Sequence, residues 1–133
     1  MKPALVALAV LVLFVSCKTT PTEIPDDLSQ AELVQRAQEA SDSENWETSL
    51  AYYQAVLDRF PQDRAATVAA HYEMAFIEYK RGDTAAAIAG FEQMLGFYDF
   101  EVSALPQWPR VLGEKLLTKI LAENAAETAT AEE

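Results

Sequence analysis

Residues 61–95 read PQDRAATVAAHYEMAFIEYKRGDTAAAIAGFEQML, and this stretch decides the fold. Apolar side chains recur at helical spacing on both sides of a Gly82-Asp83 pair. Glycine accepts the left-handed conformation that closes a helix, and an aspartate can cap the first amides of the next one. The stretch therefore predicts two helices laid back against each other across a tight turn. The recurring positions are Val68, Tyr72, Ala75 and Tyr79 before the turn, and Ile88, Phe91 and Leu95 after it.

The segment before this stretch carries a second copy of the hairpin, offset by 38 residues. Ser29 starts its first helix, because Ser29 and Glu32 fit the S-x-x-E capping box. A polar break at residues 41–45 follows, and Asn45 is expected to cap the second helix. The predicted buried faces are Leu33, Ala37 and Ala40 on the first helix, and Trp46, Leu50, Tyr53, Leu57 and Phe60 on the second.

The two copies align on their turns. Residues 44–46 fall on residues 82–84, and the small residue Ala37 falls on Ala75. A helix–turn–helix unit that repeats at such a period is typical of an α-solenoid, in which each hairpin buries its apolar face against the next. Residues 110–123 add an amphipathic helix that closes the stack. We therefore predict an all-α, helix–turn–helix solenoid of about five helices, or two and a half repeats.

The composition fits one acidic helical domain. The chain has 133 residues, a formal net charge of −11, four glycines and 50% apolar residues. Such acidity argues against binding to nucleic acid, whose phosphates require basic surfaces, and against binding to anionic lipid. The single cysteine, Cys17, excludes an internal disulfide and a cysteine-based metal site.

The N-terminus is expected to be an export signal. Lys2 precedes an unbroken apolar run at residues 4–15, which is shorter than the roughly 20 residues of a membrane span. The run ends at Ser16-Cys17, which resembles the lipobox of bacterial lipoproteins. That resemblance implies cleavage between Ser16 and Cys17 and a covalent lipid on the Cys17 sulfur. It also implies an outer-membrane location, because Lys18 stands where an aspartate would hold a lipoprotein at the inner membrane. An ordinary signal peptide with an incidental thiol is the alternative.

Composition also sets the remaining boundaries. Prolines, threonines and the absence of an apolar period after Cys17 indicate a flexible spacer. The last ten residues contain no large apolar side chain, which predicts fraying. The predicted segments are residues 1–16 as the signal peptide, 17–28 as the lipidated cysteine and tether, 29–123 as the helical domain and 124–133 as a disordered tail.

The repeats resemble tetratricopeptide repeats (TPR). That family places a small residue on the first helix, Gly-Asp at the turn, and alanine followed by an aromatic residue on the second helix. The matching residues here are Ala75, Gly82, Asp83, Ala87 and Phe91. Together with the lipobox, residues 29–121 are most similar to the outer-membrane-protein assembly lipoproteins (BamD type) of the β-barrel assembly machine, in a shortened form. Envelope coordinators of the Tol–Pal type have similar repeats.

The sequence offers no catalytic constellation, no cofactor-binding motif and no metal-ligand set. His71 is a lone histidine on an apolar face, a setting more typical of core packing than of a ligand. We therefore expect a protein that is not an enzyme and has no cofactor besides the lipid on Cys17.

Three aromatic residues on the third helix form the candidate partner site. The TPR resemblance implies that the first helix of each pair lines a concave groove, which would place Tyr72, Phe76 and Tyr79 beside Val34 and Gln38. Aromatic rings with polar tips suit an extended or helical peptide. The competing interpretation is that the three rings pack against the neighbouring hairpin and the last helix.

These features predict a lipid-anchored periplasmic protein–protein interaction module at the outer membrane. The resemblance implies an accessory role in outer-membrane protein assembly. Its partners would be envelope proteins and, through its lipid, the membrane, with no nucleic acid and no small-molecule substrate. The alternative is a structural envelope lipoprotein that self-associates, or that contacts the cell wall or a Tol–Pal-type system.

Overall fold

The structure, a computed structural model, describes residues 23–100 and 104–131. Within these two ranges the chain forms five α-helices and one short 3-10 turn, and no residue adopts a strand conformation. Successive helices pack against each other along the chain, and α5 also reaches α3. The predicted all-α arrangement of stacked helical hairpins is confirmed. The elements are α1 (Gln30–Asp42), α2 (Trp46–Arg59), α3 (Arg64–Arg81), α4 (Thr84–Gly96), the 3-10 turn Phe97–Asp99, and α5 (Gln107–Ala131).

Most helix ends are capped as predicted. Ser29 and Glu32 form the reciprocal capping box at the start of α1. The Asp83 carboxylate accepts a hydrogen bond from the Ala86 amide at 3.0 Å, and Gly82 closes α3 with a φ of 81°. Asn45 is the exception, because its side chain makes no capping hydrogen bond. The prediction that Asn45 caps α2 through its side chain was therefore wrong.

Two apolar cores share α3, which buries opposite faces. One face, with Ala70 and Ile77, packs against α1 and α2, while the other, with Val68 and Ala75, packs against α4 and α5. The first core also buries Leu28, Leu33, Ala37, Tyr52, Tyr53, Ala55 and Val56. The second also buries Tyr72, Ala87, Phe91, Met94, Tyr98, Leu105 and Ile120. Because α3 belongs to both cores, it couples the two hairpins.

The buried face of α2 is broader than the predicted stripe. Of that stripe, only Tyr53 is fully buried, while its other members are half-buried against the first core. Ser49 and Val56 are buried more deeply, because α2 packs against α1 and α3 at once. The Ser49 hydroxyl donates a hydrogen bond of 2.8 Å to the Ala37 carbonyl, which satisfies a polar group that is completely buried.

The described part of the predicted tether, residues 23–28, lies on the helical domain. The Arg59 guanidinium donates hydrogen bonds to the carbonyls of Pro25 (2.6 Å) and Ile24 (3.1 Å). Leu28 is buried in the first core, and Ile24 packs against it. The prediction of a free spacer up to residue 28 was therefore wrong for these residues. Residues 1–22, which include the predicted signal peptide and Cys17, lie outside the described residues.

The last helix is longer than predicted at both ends. It begins at Gln107 rather than Arg110, with Pro109 in its first turn, where the missing amide costs nothing. It also continues through residues 124–131, which were predicted to be disordered, because alanines and threonine-to-backbone hydrogen bonds such as Thr128 to Asn124 (2.7 Å) are compatible with a helix. None of the described helices is long and apolar enough to cross a membrane.

Candidate interaction face

Four aromatic side chains form a continuous series across α3 and α5, which we call the aromatic row: Trp108, Tyr72, Phe76 and Tyr79. The Trp108 ring meets the edge of Tyr72 with 5.1 Å between centroids. Tyr72 stacks on Phe76 at 6.2 Å, and Phe76 contacts Tyr79 at 6.3 Å. Spacings of three and four residues place the α3 members on one side of that helix, and α5 supplies the fourth ring.

Exposure separates these rings into a buried base and an accessible rim. Tyr72 is only 7% exposed and also contacts Phe91, so it is a core residue. The prediction that Tyr72 itself would line a groove was wrong, because α5 places Trp108 over it. Phe76 and Tyr79 are half-buried, and Trp108 is 43% exposed. The surface that a partner could touch therefore consists of Phe76, Tyr79 and Trp108, which we call the accessible rim.

A lysine from α5 closes the far end of the aromatic row. The Lys119 ammonium donates a hydrogen bond of 2.9 Å to the Tyr79 hydroxyl and lies 5.6 Å from the centre of the Tyr79 ring. Its carboxylate neighbour Glu123 is 3.7 Å away. The hydrogen bond to Tyr79, followed by the charge of Glu123, raises the pKa of Lys119. This end of the row therefore combines the Lys119 ammonium with the Glu123 carboxylate, and it is polar where the rest of the row is apolar.

Beyond Tyr79 the surface opens into a cavity of about 530 Å³. Its walls are the start of α4, at Thr84, and the last turns of α5, at Glu123 and Glu127, with Ile120 at its base. The row and this cavity together form an elongated surface that is apolar at one end and polar at the other. Its outline suits a peptide segment better than a compact small molecule.

The two α1 residues predicted for the same groove lie elsewhere. Val34 is half-buried against the first core, and Gln38 is exposed. Both line a shallow surface cavity bounded by Gln35 and other residues from the start of α1, which includes no member of the aromatic row. The structure thus brings Phe76 and Tyr79 together with Trp108, and it does not join Val34 or Gln38 to them.

Trp108 and Lys119 were missed as site residues in the sequence. The signal for Trp108 was its position between Pro106 and Pro109, which fix the backbone on both sides. Lys119 carried no sequence signal. It lies 40 positions after Tyr79 in the chain, and only the packing of α5 beside α3 brings the two side chains together.

Two titratable side chains of α3 lie next to the row without belonging to it. Glu73 is half-buried, and burial raises its pKa, while its charge is a secondary cause of the raised pKa of Tyr72. Burial lowers the pKa of His71, whose ring lies 5.2 Å from Phe97. Within the described ranges, no group of three or more His, Cys, Asp or Glu side chains could hold a metal ion. His71 occupies a packed position, as its apolar setting predicted.

Comparisons with known proteins give one distant relationship. An uncharacterized protein of Treponema pallidum (strain Nichols) is 39% identical over 82 residues, which is 60% of this chain and 33% of that protein. The matched segment therefore spans about a third of the relative's length. No protein-family model and no solved structure matches this chain.

Proposed function

We propose that this protein is a lipid-anchored interaction module of the bacterial cell envelope that holds a protein partner on the aromatic row. The observation that carries the proposal is the row itself. Phe76, Tyr79 and Trp108 are partly exposed, held in fixed positions by the buried Tyr72, and continuous with the cavity beside Tyr79. Rigid aromatic side chains on a helical scaffold are typical anchors of protein interfaces.

The chemistry of the face favours an extended or helical peptide with an apolar segment followed by a polar one. The rings of Phe76 and Trp108 supply an apolar contact, because each retains accessible surface. Glu123, Asn124 and Thr130 line the cavity at the end of the row, where their polar groups could form hydrogen bonds with a polar segment of the partner. An accessory role in outer-membrane protein assembly, as implied by the family resemblance, is one context for such a partner.

The anchor is supported by the sequence pattern at Ser16-Cys17, where the apolar run stops and the sole cysteine stands. One acyl chain binds a membrane marginally, whereas several chains on one residue anchor it stably. A Cys17→Ala variant should accumulate as an unprocessed precursor or leave the membrane fraction. Normal processing and normal anchoring of this variant would contradict the lipid attachment.

A self-associating envelope lipoprotein is the second candidate. The observation that favours it is the outward flank of α5, where Val111 is 59% exposed and Leu121 is 45% exposed. Such apolar side chains could pair with those of another copy. Sedimentation of the protein in detergent, over a range of concentrations, distinguishes the two candidates, because a partner-binding module remains a monomer while a self-associating one does not.

The partner site is tested by substitutions at its accessible rim. The double variant Phe76→Ala, Trp108→Ala should lose a partner that co-purifies with the wild-type protein from solubilised membranes. The matched control is Val34→Ala, which removes an apolar side chain of α1 that lies outside the row. Circular dichroism should give the same helix content for all three proteins. Equal recovery of the partner with both variants would contradict a site on the aromatic row.

A further inference from the structure

The large apolar side chains that remain exposed are unevenly distributed. Of the five in the described ranges, four lie between residues 100 and 112: Phe100, Trp108, Val111 and Leu112. Phe100 is the extreme case, with 90% of its surface exposed. Isolated exposed apolar residues are ordinary, but four within 13 positions, from the end of the 3-10 turn to the first turns of α5, indicate a contact surface. Since Trp108 belongs to the aromatic row, we name the remaining three, together with Phe97, the apolar end.

The apolar end lies where α4 finishes and α5 begins. Phe97 and Phe100 line a cavity of about 320 Å³ with Arg64, the first residue of α3, whose guanidinium lies 5.2 Å from the Phe97 ring. Tyr98 connects this turn to α5, because its hydroxyl donates a hydrogen bond to the Pro106 carbonyl. Its ring also lies 5.9 Å from the Arg110 guanidinium. The exposed side chains of the first turns of α5 therefore stand beside the 3-10 turn.

The N-terminal segment leaves the domain at this same end. Arg59, at the end of α2, holds the carbonyls of Ile24 and Pro25. Arg59 and Arg64 flank the short connection between α2 and α3, and Arg64 contacts Phe97. The α2–α3 connection thus has the incoming chain on one side and the apolar end on the other.

The distance from this point to the predicted lipid is short. Cys17 precedes Glu23, the first described residue, by six residues. A fully extended chain of that length spans at most about 20 Å. A lipid on Cys17 would therefore keep this end of the domain next to the bilayer, while the opposite end, with Gly82 and the last turns of α5, would be turned away from it.

We propose that the apolar end rests on the bilayer surface, with the exposed Phe100 inserted at the level of the lipid headgroups and the half-buried Phe97 beside it. This inference rests on the lipid anchor of the proposed function and adds a second, side-chain contact to it. Aromatic rings are favoured at that depth of a membrane. The charges nearby are mixed, with Arg64 and Arg110 beside Asp63 and Asp99, so the surface suits zwitterionic rather than anionic headgroups.

This orientation leaves the partner site accessible. The aromatic row runs along α3 from Tyr72 toward Tyr79, that is, from the apolar end toward the α3–α4 turn. With the apolar end on the membrane, Tyr79, Lys119 and the adjoining cavity would face the aqueous side. The membrane contact at Phe100 and the partner contacts at Phe76 and Tyr79 therefore lie toward opposite ends of α3, with Trp108 between them. Substitutions at Phe100 and at Phe76 test the two contacts separately.

Tryptophan fluorescence in vesicles tests the contact. The processed full-length protein is reconstituted in phosphatidylcholine vesicles with or without lipids that carry bromine, a short-range quencher, on their acyl chains. In a background in which Trp46 and Trp108 are both replaced by phenylalanine, Phe100→Trp reports from the apolar end. The matched reporter is Leu121→Trp, an exposed apolar position that lies 14 residues beyond Gln107, or about 21 Å along α5. Because residue 100 is almost fully exposed, the substitution does not alter the core.

The expected result is about a twofold loss of emission from Phe100→Trp with brominated lipid, and little change from Leu121→Trp. Unquenched emission from Phe100→Trp in protein that floats with the vesicles would overturn the membrane contact. If that emission instead shifts to the blue as the protein-to-lipid ratio rises, a second copy covers the apolar end, and the proposal also fails. Protein that does not float would overturn the anchor and this inference together, while partner capture in detergent would still test the aromatic row.

Discussion

The backbone of Gly90 in α4 lies so close to Ala75 in α3 that a Cβ added to Gly90 would be 2.8 Å from the Ala75 Cβ. Real Cβ atoms are not found at such a distance, so Gly90→Ala must push the two helices apart. Overpacking costs about 1–3 kcal/mol, against a gain of about 1 kcal/mol in helix propensity. We expect a net loss of about 1 kcal/mol, which thermal unfolding would detect as a lower Tm, by about 4–8 °C per kcal/mol.

Gly113→Ala is the matched control for this close approach. A Cβ at Gly113 would meet the terminal methyl of Met94, which is the end of a flexible side chain and can move away. We expect its Tm to stay the same or to rise with the gain in helix propensity. Equal losses for the two variants would show that the α3–α4 contact is not tighter than the α4–α5 contact.

The turns of the two hairpins differ in backbone strain. Glu44 adopts a φ of 56°, at the position where the second hairpin has Gly82 with a φ of 81°. The left-handed conformation costs a residue with a side chain about 1–2 kcal/mol, while glycine loses about 0.4–1 kcal/mol more entropy on folding. Glu44→Gly should therefore stabilise the protein by about 0.5 kcal/mol, and Gly82→Ala should destabilise it by about 1 kcal/mol. Opposite signs in chemical denaturation are the expected result, and equal signs would contradict the equivalence of the turns.

The Arg59 contact predicts that residues 24–28 are ordered together with the domain. Arg59→Lys keeps the charge but loses the planar fork that reaches two carbonyls at once. The backbone order parameters of residues 24 and 26–28, measured by NMR relaxation, should fall, with little change in α3. The control is Asp26→Asn, since the Asp26 carboxylate is fully exposed and its 3.4 Å ion pair with Arg59 should contribute little. Low order parameters for these residues already in the wild-type protein would contradict this arrangement.

Glu73 should make stability depend on pH. Burial raises its pKa above the ordinary 4.5, so the folded state holds this proton more tightly than the unfolded state. Its stabilising contribution is complete below pH 4.5 and is lost as the pH rises through the raised pKa. Glu73→Gln should therefore raise the Tm relative to wild type at neutral pH and change it little under acidic conditions.

His71 also makes stability depend on pH, in the direction opposite to Glu73. Burial lowers the pKa of His71, so its contribution is complete above the ordinary 6.5 and decreases as the pH falls below that value. The contribution of His71 is common to the wild type and Glu73→Gln, so it cancels in their difference. A difference in Tm that does not grow between acidic and neutral pH would contradict a desolvated Glu73.

Much of the fold could be predicted from the sequence because its signals are local. The capping box at Ser29, the left-handed Gly82 and the cap at Asp83 each depend on residues within four positions of one another. The offset of 38 residues then identified the second copy of the hairpin. These features required no knowledge of how the helices pack.

The predictions that were wrong depended on contacts between distant residues. Tyr72 has the spacing of a groove residue, but Trp108, 36 positions later, covers it. Pro25 belongs to a segment that looks like a spacer, yet Arg59 holds its carbonyl across 34 positions. Helix periodicity tells which residues share a face, and it does not tell which later helix covers that face.

The central claim is that the accessible rim of the aromatic row holds a protein partner, and site-specific photocrosslinking in living cells tests it most directly. A benzophenone amino acid is placed at Phe76, within the row, and in a parallel strain at Glu92, an exposed position of α4. We predict a discrete crosslinked product of higher mass from position 76 and none from position 92. No product at position 76, or the same product from both positions, would contradict the account.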